Sequence, residues 1–490
     1  MYYLRQMAND LLYKLIHSLT SNEKKSITEQ AEDKNATYLQ LMWAIEKQEK
    51  YNEPALKKLF PASAKNFHKL KSYLEEQILK CLFRQYQTRE YWELYEQIGW
   101  MDVLVKKRQF ELAELYGNTL LKRTSEMEFF VLQFMINSLF HSKSFTDQNY
   151  PQGIEHIQQS LEILPVLQNL MQYDVLRSRY YMHKAGSKQF LSTEDQKKQL
   201  DEFYSDYLLS NPNHAKSNRA RYIFYELWYE YYSRYPDGLK KAAEMAEQCV
   251  KYIGPFKEDK PVLYMSFLRN LSLFYSSMDK YSKAVHYIKM LEAVNPNQRI
   301  DSEYKFHYLF YVKLYYAFQQ KKFRDGYQIL QAYQKDISAF PLRESDLHYN
   351  ICYGLIVSFL MSANDFNKAL DYLNELVNSK FIETKLPAFY NEYRLYQIIC
   401  HFELGNFEIL ESLIRKAEYS LSKKDMFYTI EKSLILFFKN IMRNRNKQQD
   451  AVKQLLKSFS TIHKKSIEYS TVQKLQDIGW IEHLKKQNKL

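Results

Sequence analysis

The chain has 490 residues, with 10 glycines and 11 prolines. That is roughly 2% of each against typical usage of about 7% and about 5%, which leaves few residues for tight turns and excludes a many-stranded β architecture. A hydrophobic share of 46% beside 26% charged residues suffices to build a core and excludes global disorder. The formal charge of +12 is modest at this length, but between Lys439 and Leu490 twelve Lys or Arg stand against four Asp or Glu, so the basic character is mainly a C-terminal property that favours anionic partners.

In chain order, residues 1–95 read as an N-terminal helical cap. The opening stretch MYYLRQMANDLLYKLIHSL places Arg5, Asp10 and Lys14 among its apolar positions, which predicts no export signal. Thr20 with Glu23 has capping-box spacing, and Ser63 is placed to cap a helix whose Phe67, Leu70, Leu74, Ile78 and Cys81 share one face.

From about residue 96 to 438 a short pattern recurs: an aromatic residue, a small residue three positions on, and an apolar or small residue four positions after that. It reads Phe110/Ala113/Gly117, Tyr150/Gly153/Ile157, Tyr235/Gly238/Ala242, Tyr281/Ala284/Ile288, Phe323/Gly326/Leu330 and Phe366/Ala369/Leu373, with a seventh copy, Phe407/Leu410/Ile414, that has lost the small residue. The central positions step by 40, 85, 46, 42, 43 and 41 residues. The long step implies a hidden copy of two helices, the first carrying Leu170, Tyr173, Leu176 and Tyr180, the second starting near Ser192 or Thr193 and ending at Asn211-Pro212. A small residue at the start of a second helix lets its antiparallel neighbour approach closely, so each copy reads as a helix pair.

The best copy places Leu268, Leu271, Ser272 and Tyr275 on a first helix, Asp279-Lys280 in the turn, Ala284 and Ile288 on a second helix, and Pro296 at its end. This resembles the tetratricopeptide repeat, whose large residue, Leu, Gly, Tyr, Ala, aromatic and Pro positions fall on those residues, with Ser272 and Ile288 in place of Gly and Phe. The repeat here is about 42 residues rather than the family's 34. The resemblance implies an all-α chain, a right-handed α-α superhelix or solenoid of about eight antiparallel helix pairs, with atypical helical caps at residues 1–95 and 439–490.

The resemblance also implies groove-facing positions, which fall on Arg269 and Ser276 in one repeat and on Tyr308, Tyr311, Tyr315 and Phe318 in the next. Two readings stand for these aromatics: a concave wall for a peptide, or a stripe that packs helix on helix. The run RYIFYELWYEYY at 221–232 divides in the same way. Arg269 and Asn270 alone suggest the carboxylate clamp of some tetratricopeptide modules, but Ile223, Leu227, Tyr311 and Tyr315 at the equivalent places offer no matching donors, so tail binding of that kind is not expected.

The C-terminal segment carries Arg443, Arg445, Lys447, Lys453, Lys457, Lys464 and Lys465. Clustered charge of this kind is what phosphate binding needs, and a solvated terminal helix is the alternative reading. Chemistry is sparse elsewhere. No H-E-x-x-H, zinc-type cluster, phosphate loop or nucleophile elbow occurs among the twelve histidines, four cysteines and ten glycines. His401 reads as a packed imidazole, and Cys81, Cys249, Cys352 and Cys400 as reduced and buried. Even LILFFKNIM at 434–442 is broken by Lys439, so no membrane span is expected. The sequence thus predicts a cytoplasmic, non-enzymatic scaffold for a protein or peptide, without metal or cofactor. The alternative is a nucleic-acid-associated protein using its basic C-terminus.

Overall fold

The computed structural model describes residues 11–31, 33–86, 90–186, 194–235, 238–296, 299–339, 347–385, 387–423, 429–444, 448–462 and 467–488. Among these the chain is all-α, with no strand. It divides into two compact units, Met1–Gln168 and Asn169–Leu490.

The first unit begins with α1 (residues 11–18), α2 (Ser21–Glu29), α3 (Thr37–Glu46), α4 (Glu53–Leu59) and α5 (Phe67–Tyr86). The capping box forms as the spacing predicts: the Glu23 amide donates to Thr20 Oγ1 at 3.3 Å, and the Thr20 amide to Glu23 Oε2 at 2.6 Å. Ser63 does not cap α5. It lies within a 3-10 turn, Pro61–Asn66, and α5 starts at Phe67, because Pro61 and the tight turn supply the entry instead. Phe67, Leu74, Ile78 and Cys81 are buried against Ile16, Leu41, Met42, Ile45 and Leu56. Beside them Glu53 accepts from Lys71 at 2.6 Å and Tyr51 at 3.1 Å and pairs with Lys57 at 2.8 Å.

Burial works against the Glu53 carboxylate, yet the hydrogen bonds from Lys57 and Lys71 prevail and hold its pKa at about 2 against an ordinary 4.5. The sign follows directly. The stability it lends is present above pH 4.5 and is lost as pH falls toward about 2. Glu53→Gln is therefore expected to flatten the acid side of the stability profile in that interval, measured by chemical unfolding at stepped pH; an unchanged slope would refute this.

The unit continues through α6 (Glu90–Lys106), α7 (Phe110–Glu126), α8 (Phe130–Thr146) and the start of α9 (Tyr150–Gly186). α6 packs on both α7 and α8, around Leu94, Ile98, Met101, Leu120, Leu132, Ile136 and Phe140.

The second unit takes the rest of α9, then α10 (Glu194–Tyr204), α11 (Tyr207–Ser210), α12 (Asn218–Tyr232), α13 (Leu239–Ile253), α14 (Pro261–Ser277), α15 (Tyr281–Glu292), α16 (Arg299–Gln319), α17 (Phe323–Ala339), α18 (Leu347–Ser362) and α19 (Phe366–Asn378). It closes with α20 (Lys380–Lys385), α21 (Pro387–Glu403), α22 (Phe407–Lys423), α23 (Thr429–Arg443), α24 (Gln448–Thr461), α25 (Ile467–Asp477) and α26 (Trp480–Gln487). Helices next in sequence pack on one another, and first helices of successive pairs also meet, as α14 with α16 and α16 with α18.

One turn recurs through both units. Arg108, Glu128, Gln148, Asp279, Lys321, Asn364 and Gly405 all have positive φ, between 50° and 71°. Each stands two residues before an aromatic that starts a helix: Phe110, Phe130, Tyr150, Tyr281, Phe323, Phe366 and Phe407. The amide after each left-handed residue reaches back five positions, as Gln109 to the Leu104 carbonyl (2.9 Å), Lys280 to Tyr275 (2.8 Å) and Asn406 to His401 (2.9 Å). This is the Schellman arrangement, which satisfies carbonyls left open at a helix end.

The small residue of the pattern sits where the sequence reading puts it, at a close approach, but the neighbour includes the helix that follows. A Cβ on Gly326 of α17 would run into the ring of Phe359 on α18, and one on Gly117 of α7 into Phe140 on α8 and Met101 on α6. Gly238 stands at the start of a second helix, as the pattern places it: α13 begins at Leu239, with Gly238 so close to the Tyr232 carbonyl that a side chain would collide. One expectation is corrected: Pro165, which the resemblance offers as a second helix-ending proline, does not stop a helix, because α9 runs 37 residues through it. Pro165 is exposed, so solvent can serve the carbonyl that its missing N–H leaves open. Ser192 and Thr193 lie outside the described residues.

Candidate functional site

The five residues chosen as a peptide groove lie within helix packing in the second unit. Arg269 on α14 is buried, its guanidinium 4.4 Å from the centre of the Tyr308 ring on α16, and its Nε and Nη2 donate to Asn270 Oδ1 at 3.0 and 2.8 Å. Asn270 in turn donates to the Tyr229 hydroxyl at 2.9 Å. Tyr308 and Tyr311 retain 8% and 7% exposure, and burial pushes the Tyr311 hydroxyl well above its ordinary pKa. Tyr315 and Phe318 are half-buried; the Tyr315 hydroxyl bonds Ser277 at 2.8 Å, and Phe318 meets the rings of Phe323 and Phe359 at 5.9 and 6.3 Å. Arg269 and Tyr308 are thus brought together, and they meet each other rather than an open groove.

His401 on α21 is half-buried, its Nδ1 3.3 Å from Asn406 Nδ2, and burial lowers its pKa. Of the basic cluster, Arg443 is exposed at the end of α23, with Lys453 and Lys457 exposed on α24. Arg445, Lys447, Lys464 and Lys465 lie outside the described residues. Lys439 bonds both carboxylate oxygens of Glu418, at 2.9 and 2.7 Å. All four cysteines are buried. Among the described residues no group of His, Cys, Asp and Glu is placed to hold a metal ion, and no helix is long and apolar enough to cross a membrane.

The feature that the sequence reading missed is an apolar face on the first unit. α5 leaves Tyr73, Leu79 and Phe83 exposed, and α6 leaves Trp92, Tyr95, Trp100 and Val103, with Trp100 at 49%. The rings join: Phe83 meets Trp92 edge-on at 5.3 Å, and Trp92 meets Tyr95 at 6.0 Å. Leu79, Leu82 and Phe83 form the floor of an open groove of about 730 Å³ beside Glu75, Glu76 and Lys80. Glu93 and Glu96 flank the aromatic stripe on α6 and are exposed. Separately, the start of α9 leaves Tyr150, Ile154, Ile157, Leu161 and Leu164 exposed at alternating four- and three-residue steps, the spacing of a helix that pairs with another helix.

No family model, curated protein or solved structure matches the chain.

Proposed function

We propose that this chain is a non-enzymatic protein-binding scaffold built of tetratricopeptide-like helix pairs, and that its partner docks on the apolar face of the N-terminal unit. The recurring turn, at 41- to 43-residue steps from Asp279 to Gly405, and the buried small residue beside it support the repeat reading. The observation that carries the function is the joined rings of Phe83, Trp92 and Tyr95, with Trp100 and Val103 also exposed on α6. Large contiguous apolar patches are rare on soluble proteins and mark interaction sites, and Trp and Tyr are the residues that most often dominate binding energy. With Glu75, Glu76, Glu93 and Glu96 exposed around it, the face suits an amphipathic helix that has aliphatic anchors and a basic flank.

The test is capture from native lysate after nuclease treatment, comparing the tagged wild type with Trp92→Asp/Tyr95→Asp. Both positions are exposed, so the substitutions spare the core. A discrete polypeptide is expected to be retained by the wild type and depleted at least tenfold, roughly, by the variant, as loss of a hot spot of about 2 kcal/mol or more requires. Equal retention would overturn the proposal. Recovery of nucleic acid that falls steeply with salt would instead move the function to the basic segment around Arg443.

A further inference from the structure

The last two helices do not simply extend the row of helix pairs. α25 packs on α23, and α25 and α26 then reach residues much earlier in sequence. Lys474 on α25 donates to both carboxylate oxygens of Glu392 on α21, at 2.8 Å each. Asp477, at the end of the same helix, pairs at 2.7 Å with Lys321 of the turn between α16 and α17. On α26 the Trp480 indole donates to Glu403 Oε1 of α21 at 2.7 Å, and His483 Nε2 stands 3.2 Å from Oε2. Gln449 of α24 donates to the Asn488 carbonyl at 3.1 Å. Residues 467–488 thus form a strap laid across α21 and α23 and tied to both the α16–α17 turn and α24.

The strap has an apolar underside and a charged seat. Its Val472, Leu475, Ile478, Trp480, Ile481 and Leu484 are all buried, and the Trp480 ring meets Phe437 and Phe438 of α23 at 6.3 and 6.4 Å. The Glu403 side chain retains only 4% exposure, and among the described residues the partners of its two oxygens are Trp480 and His483, both from the strap. Burying a carboxylate is costly unless donors meet it, so the strap supplies the donors for a charge that it covers itself. Buried aromatic and aliphatic anchors with fixed polar contacts are also how a groove recognises an amphipathic helix.

We propose that the face of α21 and α23 is a binding site for an amphipathic helix carrying a tryptophan and a basic residue, and that α25 and α26 occupy it as the chain's own competitor. An external helix of the same chemistry gains the site by displacing the strap. The partner chemistry follows from the seat: Glu392 and Glu403 select a cation and an indole N–H, and Phe437 and Phe438 lie against the indole ring. A tethered occupant has an effective concentration on the order of millimolar, so the strap excludes weak ligands and yields to a tighter one. This site belongs to the second unit and does not depend on the docking face of the first.

The test uses a fluorescein-labelled peptide of residues 467–488 and the full chain, either wild type or carrying Trp480→Ala/Leu484→Ala. The substitutions loosen the strap and leave α21 and α23 unaltered. Fluorescence anisotropy is expected to show saturable binding of the peptide to the variant, and binding at least about tenfold weaker to the wild type, whose seat is filled. Adding Glu403→Gln to the variant chain should weaken the peptide by about fivefold or more, the effect of replacing a charged acceptor with a neutral one. Amide hydrogen exchange reads the strap directly: residues 467–487 should lose protection in the variant while α14 to α23 keep theirs. No binding to the variant, equal binding to both chains, or an affinity that Glu403→Gln leaves unchanged overturns the proposal. So does loss of protection throughout α14 to α23 in the variant, because α25 and α26 would then be part of the core and not the occupant of a site.

Discussion

Phe359→Ala is expected to destabilise the second unit by about 3–5 kcal/mol, the cost of emptying a fully buried aromatic site. The ring has no exposure. It packs edge-on to Phe318 at 6.3 Å and tilted to Phe323 at 5.8 Å, and it closes over Gly326. The same contact makes Gly326 informative. In an open helix Gly→Ala gains roughly 0.5–1 kcal/mol by restricting the unfolded chain, and Gly99, with nothing within 4 Å of an added Cβ, should show that gain. Gly326→Ala should instead lose about 1–3 kcal/mol from overpacking. Combined with Phe359→Leu, which vacates part of the ring volume, Gly326→Ala should cost less than it does alone. Urea unfolding of the single and double variants measures all of these. If Gly326→Ala stabilises as Gly99→Ala does, the close approach does not constrain the helix pair.

This contact also shows what was legible in the sequence. The aromatic residues Phe110, Tyr150, Tyr281, Phe323, Phe366 and Phe407 stand at helix starts because each follows a turn of fixed length, and in all but the Phe407 copy the small residue three positions on marks the close approach. Both are local and periodic. The left-handed residue two positions earlier is hidden because it is Arg, Glu, Gln, Asp, Lys or Asn in six turns and glycine only at Gly405; a requirement on φ leaves no compositional trace when the Schellman bonds offset its cost.

Faces were less legible than elements. On α6 the stripe Leu94, Ile98, Met101 and Val105 is buried, while Trp92, Tyr95 and Val103 are exposed. Both sets have helical spacing, so periodicity cannot say which one is covered. Tyr308 and Tyr311 posed the same question, and α16 turns them inward. The seat of α25 and α26 was illegible on other grounds: Glu392 and Glu403 on one side, and Lys474, Trp480 and His483 on the other, lie far apart in sequence and form no motif along the chain.

The tyrosine-rich run at 221–232 hides a carboxylate whose burial leads to the last prediction. Glu226, in the middle of α12, retains 7% exposure; its Oε1 accepts from the Tyr181 hydroxyl at 3.1 Å, and Arg177 Nη1 stands 3.7 Å from Oε2. Burial pushes its pKa up, with the negative charge of Glu230 acting the same way, while the Arg177 charge and the hydroxyls of Tyr222 and Tyr181 pull it down. Because the folded value lies above the unfolded 4.5, the native chain holds a proton that the unfolded chain has released between the two, so stability falls as pH rises through that window. Arg177→Met removes the main opposing charge, which raises the folded value further and widens the window. At about pH 8 the variant is expected to lose about 3–5 kcal/mol, the cost of leaving one member of a buried pair uncompensated; near pH 5 the loss should be much smaller, since Glu226 can take up a proton. Adding Glu226→Gln, which keeps the acceptor for Tyr181 and removes the charge, should recover most of the loss at about pH 8 and flatten the dependence. Denaturant unfolding of the three chains at both pH values decides it. A loss in Arg177→Met that is equal at the two pH values, or that Glu226→Gln fails to recover, would show that Arg177 acts through packing of its stem over α12 and not through its charge.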